Sequence, residues 1–256
     1  MCGRYSLTTP LEGLREIFLF EEIPNLAPRY NIAPTQDVPV LRLGRDDGKR
    51  HLRLLRWGLI PFWAKDAAIG SRMINARSES LAEKPAFREA FRKRRCLVLA
   101  DGFYEWQAPP EGAAPRTSKA KTPKQPYRIT LAGGGPFAFA GLWERWHDKA
   151  EDRKLDSFTI VTTEANKTLS PIHHRMPVIL APADHATWLD PESRPADLQA
   201  LLRPAPEAAV KAEPISTRIN AVRHDDASVL APPEPAAPAP AEAAPEAPSA
   251  VQGRLF

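Results

Sequence analysis

Short apolar runs bounded by turn residues recur across residues 38–180, and none lengthens into a sustained helical period. Residues 38–43 and 51–57 alternate in the manner of strands, with Leu52 and Leu54 set against Arg53 and Arg56. Residues 96–99, 127–131, 137–141, 157–162 and 177–180 read as further strands. Helical signals are few. Thr8 or Thr9 ahead of Pro10 marks a helix start, with Leu11, Leu14 and Phe18 on one face, and residues 86–92 and 183–189 read as short helices. Strands dominate without βαβ alternation. The expected fold is therefore α+β: a single domain on a curved, barrel-like, mainly antiparallel sheet with short flanking helices. No glycine-rich phosphate loop joins a strand to a helix, so no nucleotide cofactor is expected.

The domain is expected to span 2–226. Beyond it, residues 227–256 are dominated by Ala, Pro and Glu and carry no hydrophobic period, which predicts a disordered, partly polyproline-II tail. A second soft stretch, 108–125, predicts a mobile basic loop inserted between two strands. The net charge is +4. The tail holds Glu234, Glu242 and Glu246 against Arg254 alone, so the positive excess lies in the domain and suits a local polyanion-binding patch. No apolar run is long enough to span a membrane and no signal peptide opens the chain. With two cysteines, Cys2 and Cys96, a disulfide framework is excluded beyond one bridge. A cytoplasmic monomer is expected, nucleoid-associated if the source is bacterial.

Cys2 stands directly after Met1. Removal of Met1 would make it a 1,2-aminothiol, whose amine titrates at about 8 and thiol at about 8.5 when unperturbed. Such a pair condenses with an aldehyde to a Schiff base, and the thiol then closes a thiazolidine. Four other segments hold polar residues in apolar surroundings: Asn75 to Glu79, Asp101 to Trp106, His173 to Pro177, and the aromatic run from Trp57 to Trp63. Each has an ordinary structural explanation when taken singly: an edge carboxylate, a satisfied core histidine, a turn.

Together, MCGRY, RYNIAPTQ, RWGLIPFW, INARSE, RRCLVLADGFYEW, IHHRMPVIL and STRINAVRHD, in that order, resemble the SRAP family, the SOS-response-associated peptidase or abasic-site-processing family. The resemblance covers residues 2 to about 226. It implies covalent capture of abasic sites in single-stranded DNA as a thiazolidine crosslink, which shields the lesion from strand cleavage, together with lyase-type side chemistry. It further implies catalytic roles for Cys2, Asn75, Glu105 and His173, and DNA contacts from Arg4, Arg77, Trp63, Trp106 and Pro34. His173 is expected to titrate near neutrality and to protonate the sugar ring oxygen. Glu105, between Tyr104 and Trp106, is expected to have a raised pKa and to shuttle protons. Asn75 is expected to orient the amine.

A metal site is not expected: His173 and His174 are adjacent and read as diverging, Cys96 lies in an apolar run, and no zinc-ligand spacing occurs. Two alternatives stay open. One is a cysteine peptidase limited to cleaving its own Met1–Cys2 bond. The other is a non-covalent reader of modified DNA. The last residues, Gln252-Gly253-Arg254-Leu255-Phe256, resemble the Q-x-x-L-F peptide that docks on the bacterial replication sliding clamp, with Gln252, Leu255 and Phe256 as its anchors.

Overall fold

The computed structural model describes residues 2–22, 24–109 and 124–234. In chain order the elements are β1 (Tyr5–Leu7), α1 (Leu11–Phe18), β2 (Arg29–Ile32), β3 (Asp37–Leu43), β4 (Arg50–Trp57), β5 (Asn75–Arg77), α2 (Arg88–Lys93), β6 (Arg95–Ala100), β7 (Gly102–Gln107), β8 (Gln125–Leu131), β9 (Phe137–Asp148), β10 (Arg153–Glu164), β11 (Arg175–Pro177), β12 (Ile179–Leu180), α3 (His185–Leu189), α4 (Pro195–Leu201) and β13 (Val210–Pro214). Several 3-10 turns link them.

The expected α+β architecture is present. Strands β10, β4, β3, β6 and β9 pair in that order, and β9 pairs again with β10, so the ring closes. A second, five-stranded sheet runs β13-β8-β7-β1-β2. Pairing is antiparallel except where β10 meets β4 and β5. The long β9–β10 ladder ends at Gly141 opposite Ile160. Residues 175–180 fill the gap beyond it. There β11 joins β10, β12 joins β9, and Val178 bonds to both neighbours. That is why the expected strand 177–180 divides at Val178.

The two sheets share one core. Tyr5 and Phe103 project from the second sheet, and both rings meet Phe139 of the barrel edge-on, at 5.9 and 5.8 Å. Tyr5 also meets Trp57 at 5.2 Å. All four side chains are fully buried, and burial on that scale contributes about 1.5–3 kcal/mol per large side chain. Gly58 turns the chain away from β4 with φ 124°, and a Cβ there would lie 2.6 Å from the Gly70 carbonyl oxygen.

Three expectations change. The residue preceding α1 is Pro10, and no side chain caps the helix. Thr8 and Thr9 instead bond through their N–H and hydroxyl groups to the buried Asp101 carboxylate. The segment Gly102–Gln107 is itself a strand, so Glu105 is not a solvated carboxylate beyond one; it is 5% exposed. Order also continues past Asp226: a 3-10 turn over Ala227–Leu230 buries Val229 beside Tyr104, Ile215 and Ile219. Residues 110–123 and 235–256, with the clamp-like anchors Gln252, Leu255 and Phe256, lie outside the described residues. The flanks of the insertion place it between β7 and β8, whose outermost pair is Gln107 with Gln125.

Candidate active site

Asn75 is held by backbone bonds that originate in the aromatic segment. The Trp57 indole N–H donates to the Ile74 carbonyl at 2.9 Å, and the Leu59 N–H donates to the Met73 carbonyl at 3.2 Å. These bonds lay β5 alongside β10, with Asn75 opposite Ile160. The Asn75 amide nitrogen then donates to the Cys2 carbonyl at 2.8 Å. Its amide oxygen is buried with no hydrogen-bond partner among the described residues.

Cys2 lies just before β1, whose register against β7 is set by Tyr5 opposite Phe103 and by the Tyr104 N–H bonding to the Arg4 carbonyl. Alternation along β7 puts Phe103 and Glu105 on the core face and Tyr104 and Trp106 on the other. Those two outer residues are tied down: the Tyr104 hydroxyl donates to the Tyr30 carbonyl at 2.7 Å and the Trp106 indole to Asn220 Oδ1 at 2.7 Å. Glu105 is thus fixed from behind and faces inward. Cys2 is fully buried. Its thiol is pushed well above the ordinary range, first by burial and then by the negative charge of Glu105, so the two groups are neighbours. Burial raises the Glu105 carboxyl itself to about 7.

His173 follows a tight turn in which its N–H donates to the Leu169 carbonyl at 2.9 Å. Burial first, and neighbouring positive charge second, lower its imidazole to about 4, so it is neutral at pH 7 and does not titrate near neutrality as expected. The positive charge of Lys124 bears on both Glu105 and His173. The His173 and His174 rings stack at 4.4 Å with 23° between their planes; they do not diverge. Among the described residues no three His, Cys, Asp or Glu side chains group as a metal site would require.

The five expected DNA contacts fall into two sets. Arg77 is exposed at the end of β5, Trp63 is 49% exposed on the turn after β4, and Pro34 is half-buried on the turn after β2. Arg4 and Trp106 are engaged within the protein. The Arg4 guanidinium donates to Asn31 Oδ1 and the Ile219 carbonyl, both at 2.8 Å, and to the Asn220 carbonyl at 3.4 Å.

Sequence reasoning overlooked four groups. Asp225 accepts from Arg29 Nε and from the Tyr30 and Asn31 N–H groups, while the Asn31 amide donates to the carbonyls of Ile219, Ala221 and His224. The seventh motif therefore acts as a brace for the second. Glu79 and Arg175 form a bidentate pair at 2.6 and 3.0 Å. Phe62, 58% exposed, adds a second accessible aromatic ring next to Trp63 in the chain. All of these lie inside the motifs, so their positions were visible and their partners were not.

The family described as SOS response associated peptidase (SRAP) matches residues 1–222. The chain belongs to the SRAP family. SRAP relatives include the abasic site processing protein YoqW of Bacillus subtilis, 39% identical over 234 residues, covering 90% of this chain and 99% of that one. Another is the abasic site processing protein HMCES of Gallus gallus, 34% identical over 225 residues, covering 80% of this chain and 66% of that one. A solved structure of a Bacteroides thetaiotaomicron protein superposes with a TM-score of 0.76 at 26% identity, covering 90% of this chain and 99% of that one. The SRAP match ends at residue 222, ahead of Asp225 and of the last 3-10 turn, Ala227–Leu230.

Proposed function

We propose that this protein processes abasic sites in DNA, and that it does so by capturing the ring-opened lesion in single-stranded DNA through Cys2 as a thiazolidine. The observation that carries this is the convergence of Cys2, Asn75 and Glu105 in a buried site of an SRAP fold. The names of its relatives agree with the substrate.

With Met1 removed, the neutral Cys2 amine adds to the aldehyde carbon, and the carbinolamine loses water to give an iminium. The thiol sulfur adds to that carbon while its proton leaves, closing the five-membered ring. The balance is aldehyde plus aminothiol to thiazolidine plus water. Glu105, at about 7, exchanges a proton at neutral pH and serves both the amine and the departing water. His173 enters as a neutral imidazole and contributes a hydrogen bond at the sugar, not a stored positive charge. Asn75, already on the Cys2 carbonyl, has an amide oxygen available for the amine or a sugar hydroxyl. Arg77, with Trp63 and Phe62 as stacking surfaces, holds the strand from the open side.

The test is a denaturing gel of mature protein mixed with a single-stranded oligonucleotide bearing one abasic site. A heat-stable shifted band, absent for Cys2→Ala and absent on intact DNA, is the expected result. Reversible binding without a covalent band would favour a reader of modified DNA. Cleavage confined to the Met1–Cys2 bond would favour a self-processing peptidase. The same proposal includes the tail: Gln252, Leu255 and Phe256 dock on the replication sliding clamp and tether the domain near exposed template.

A further inference from the structure

We propose that the Glu79–Arg175 ion pair is a positioning pair that fixes the orientation and tautomer of His173 and locks it to the segment carrying Asn75. The proposal rests on the capture chemistry above only for its kinetic consequence.

Arg175 is two residues beyond His173 and joins it in two ways. Its backbone N–H donates to His173 Nδ1 at 3.0 Å. The Arg175 carbonyl lies at 3.3 Å from the same nitrogen and would accept a proton from it. The two arrangements exclude each other. The N–H direction is set by the backbone, and a proton on Nδ1 would face that hydrogen directly. Nδ1 is therefore the acceptor, and the neutral ring carries its proton on Nε2.

What holds the Arg175 backbone is its own side chain. Arg175 is 8% exposed, and its guanidinium links two strands and a turn. It starts on β11, donates to the Thr162 carbonyl of β10 at 2.7 Å, and grips both oxygens of Glu79 just past β5. Asn75 lies on β5, four residues before Glu79. One guanidinium thus connects the strand that presents Asn75 to the turn that presents His173, across the shared neighbour β10. A bidentate fork fixes direction as well as distance, which a lysine would not do. Glu79 is half exposed, so the pair can be cut at the carboxylate without opening a core cavity.

The experiment uses the mature full-length chain labelled with 15N-histidine. The His173 ring nitrogens are assigned by difference against His173→Ala. Wild type should show one tautomer, with the proton on Nε2. Glu79→Ala should show a mixture and slow covalent capture by on the order of tenfold, while affinity for the same oligonucleotide stays within about twofold. Glu79→Gln, which keeps an acceptor, should recover part of the rate. Thermal melting confirms that each variant is folded. Glu79→Ala with the wild-type tautomer and rate overturns the proposal, as does a rate loss matched by an equal loss of affinity. If wild-type protein forms no adduct, the capture chemistry fails, and the tautomer comparison alone decides the positioning pair.

Discussion

Glu105 and His173 are displaced in opposite directions by the same cause: burial favours the uncharged form of each, raising the acid and lowering the base. The first consequence is a pH dependence of stability. The Glu105 carboxyl titrates at about 7 when folded and near 4.5 when unfolded, so the folded state holds the proton more tightly. Its protonated form is fully favoured below the unfolded value. Stability then falls as pH rises from about 4.5 to about 7, by a total of about 3 kcal/mol. Glu105→Gln should remove that slope, which denaturant unfolding of the Met1-retaining chain at pH 5 and pH 8 would reveal. In mature protein the same variant should bind single-stranded DNA normally and capture about 10²-fold more slowly. An unchanged bound-state rate would take Glu105 out of the chemistry. Cys2→Ser separates the two Cys2 groups: it keeps the amine, and a hydroxyl traps an iminium poorly. Its adduct should be a Schiff base that hydrolyses on heating and becomes permanent only after borohydride reduction.

At the scale of elements, the site depends on braces that join distant parts of the chain. Asp225→Ala would release Arg29 and leave the Tyr30 and Asn31 N–H groups without their acceptor, at a cost of about 2–3 kcal/mol. The melting temperature should drop, and β2 amides should exchange faster than those of β9 and β10. Uniform exchange across both sheets would show that Asp225 does not brace β2 specifically. Gly58→Ala places a Cβ against the Gly70 carbonyl in a backbone region that L residues avoid, so a loss of about 2 kcal/mol or more is expected. Several elements were legible in extent: β3, β4, β6 and β8 match their expected spans closely. The alternation expected in β4 does not hold, since Leu52 and Leu55 are buried and Leu54 is 60% exposed. The strands β1, β2, β5, β7 and β13 were not expected. All have seven residues or fewer, three of them are built from motif residues rich in Arg, Asn and Glu, and their pairing partners lie far along the chain. Local propensity carries little signal there, and tertiary pairing overrides it.

For the whole molecule, order continues past Asp226 through the turn at Ala227–Leu230. Removing residues 235–256 should leave melting temperature and oligonucleotide capture unchanged and abolish binding to the sliding clamp. A tail peptide that shows no clamp affinity at high micromolar concentration in calorimetry would end the tether idea. Deleting residues 110–122, between the β7 and β8 ends, should leave capture intact and alter only its salt dependence; failure to fold would show that this segment belongs to the sheet. Among the described residues no helix is long and apolar enough to cross a membrane. Order and residue type along the chain were enough to determine the family and the α+β class, because these depend on the order of short motifs and on periodicities only a few residues long. The tertiary structure alone decided that Glu105 faces inward at about 7, that His173 is neutral and stacked on His174, that Arg4 is spent on protein carbonyls, and that Glu79 grips Arg175. Burial and partners separated by up to 216 residues create those properties, and neither is a property of a residue or its chain neighbours.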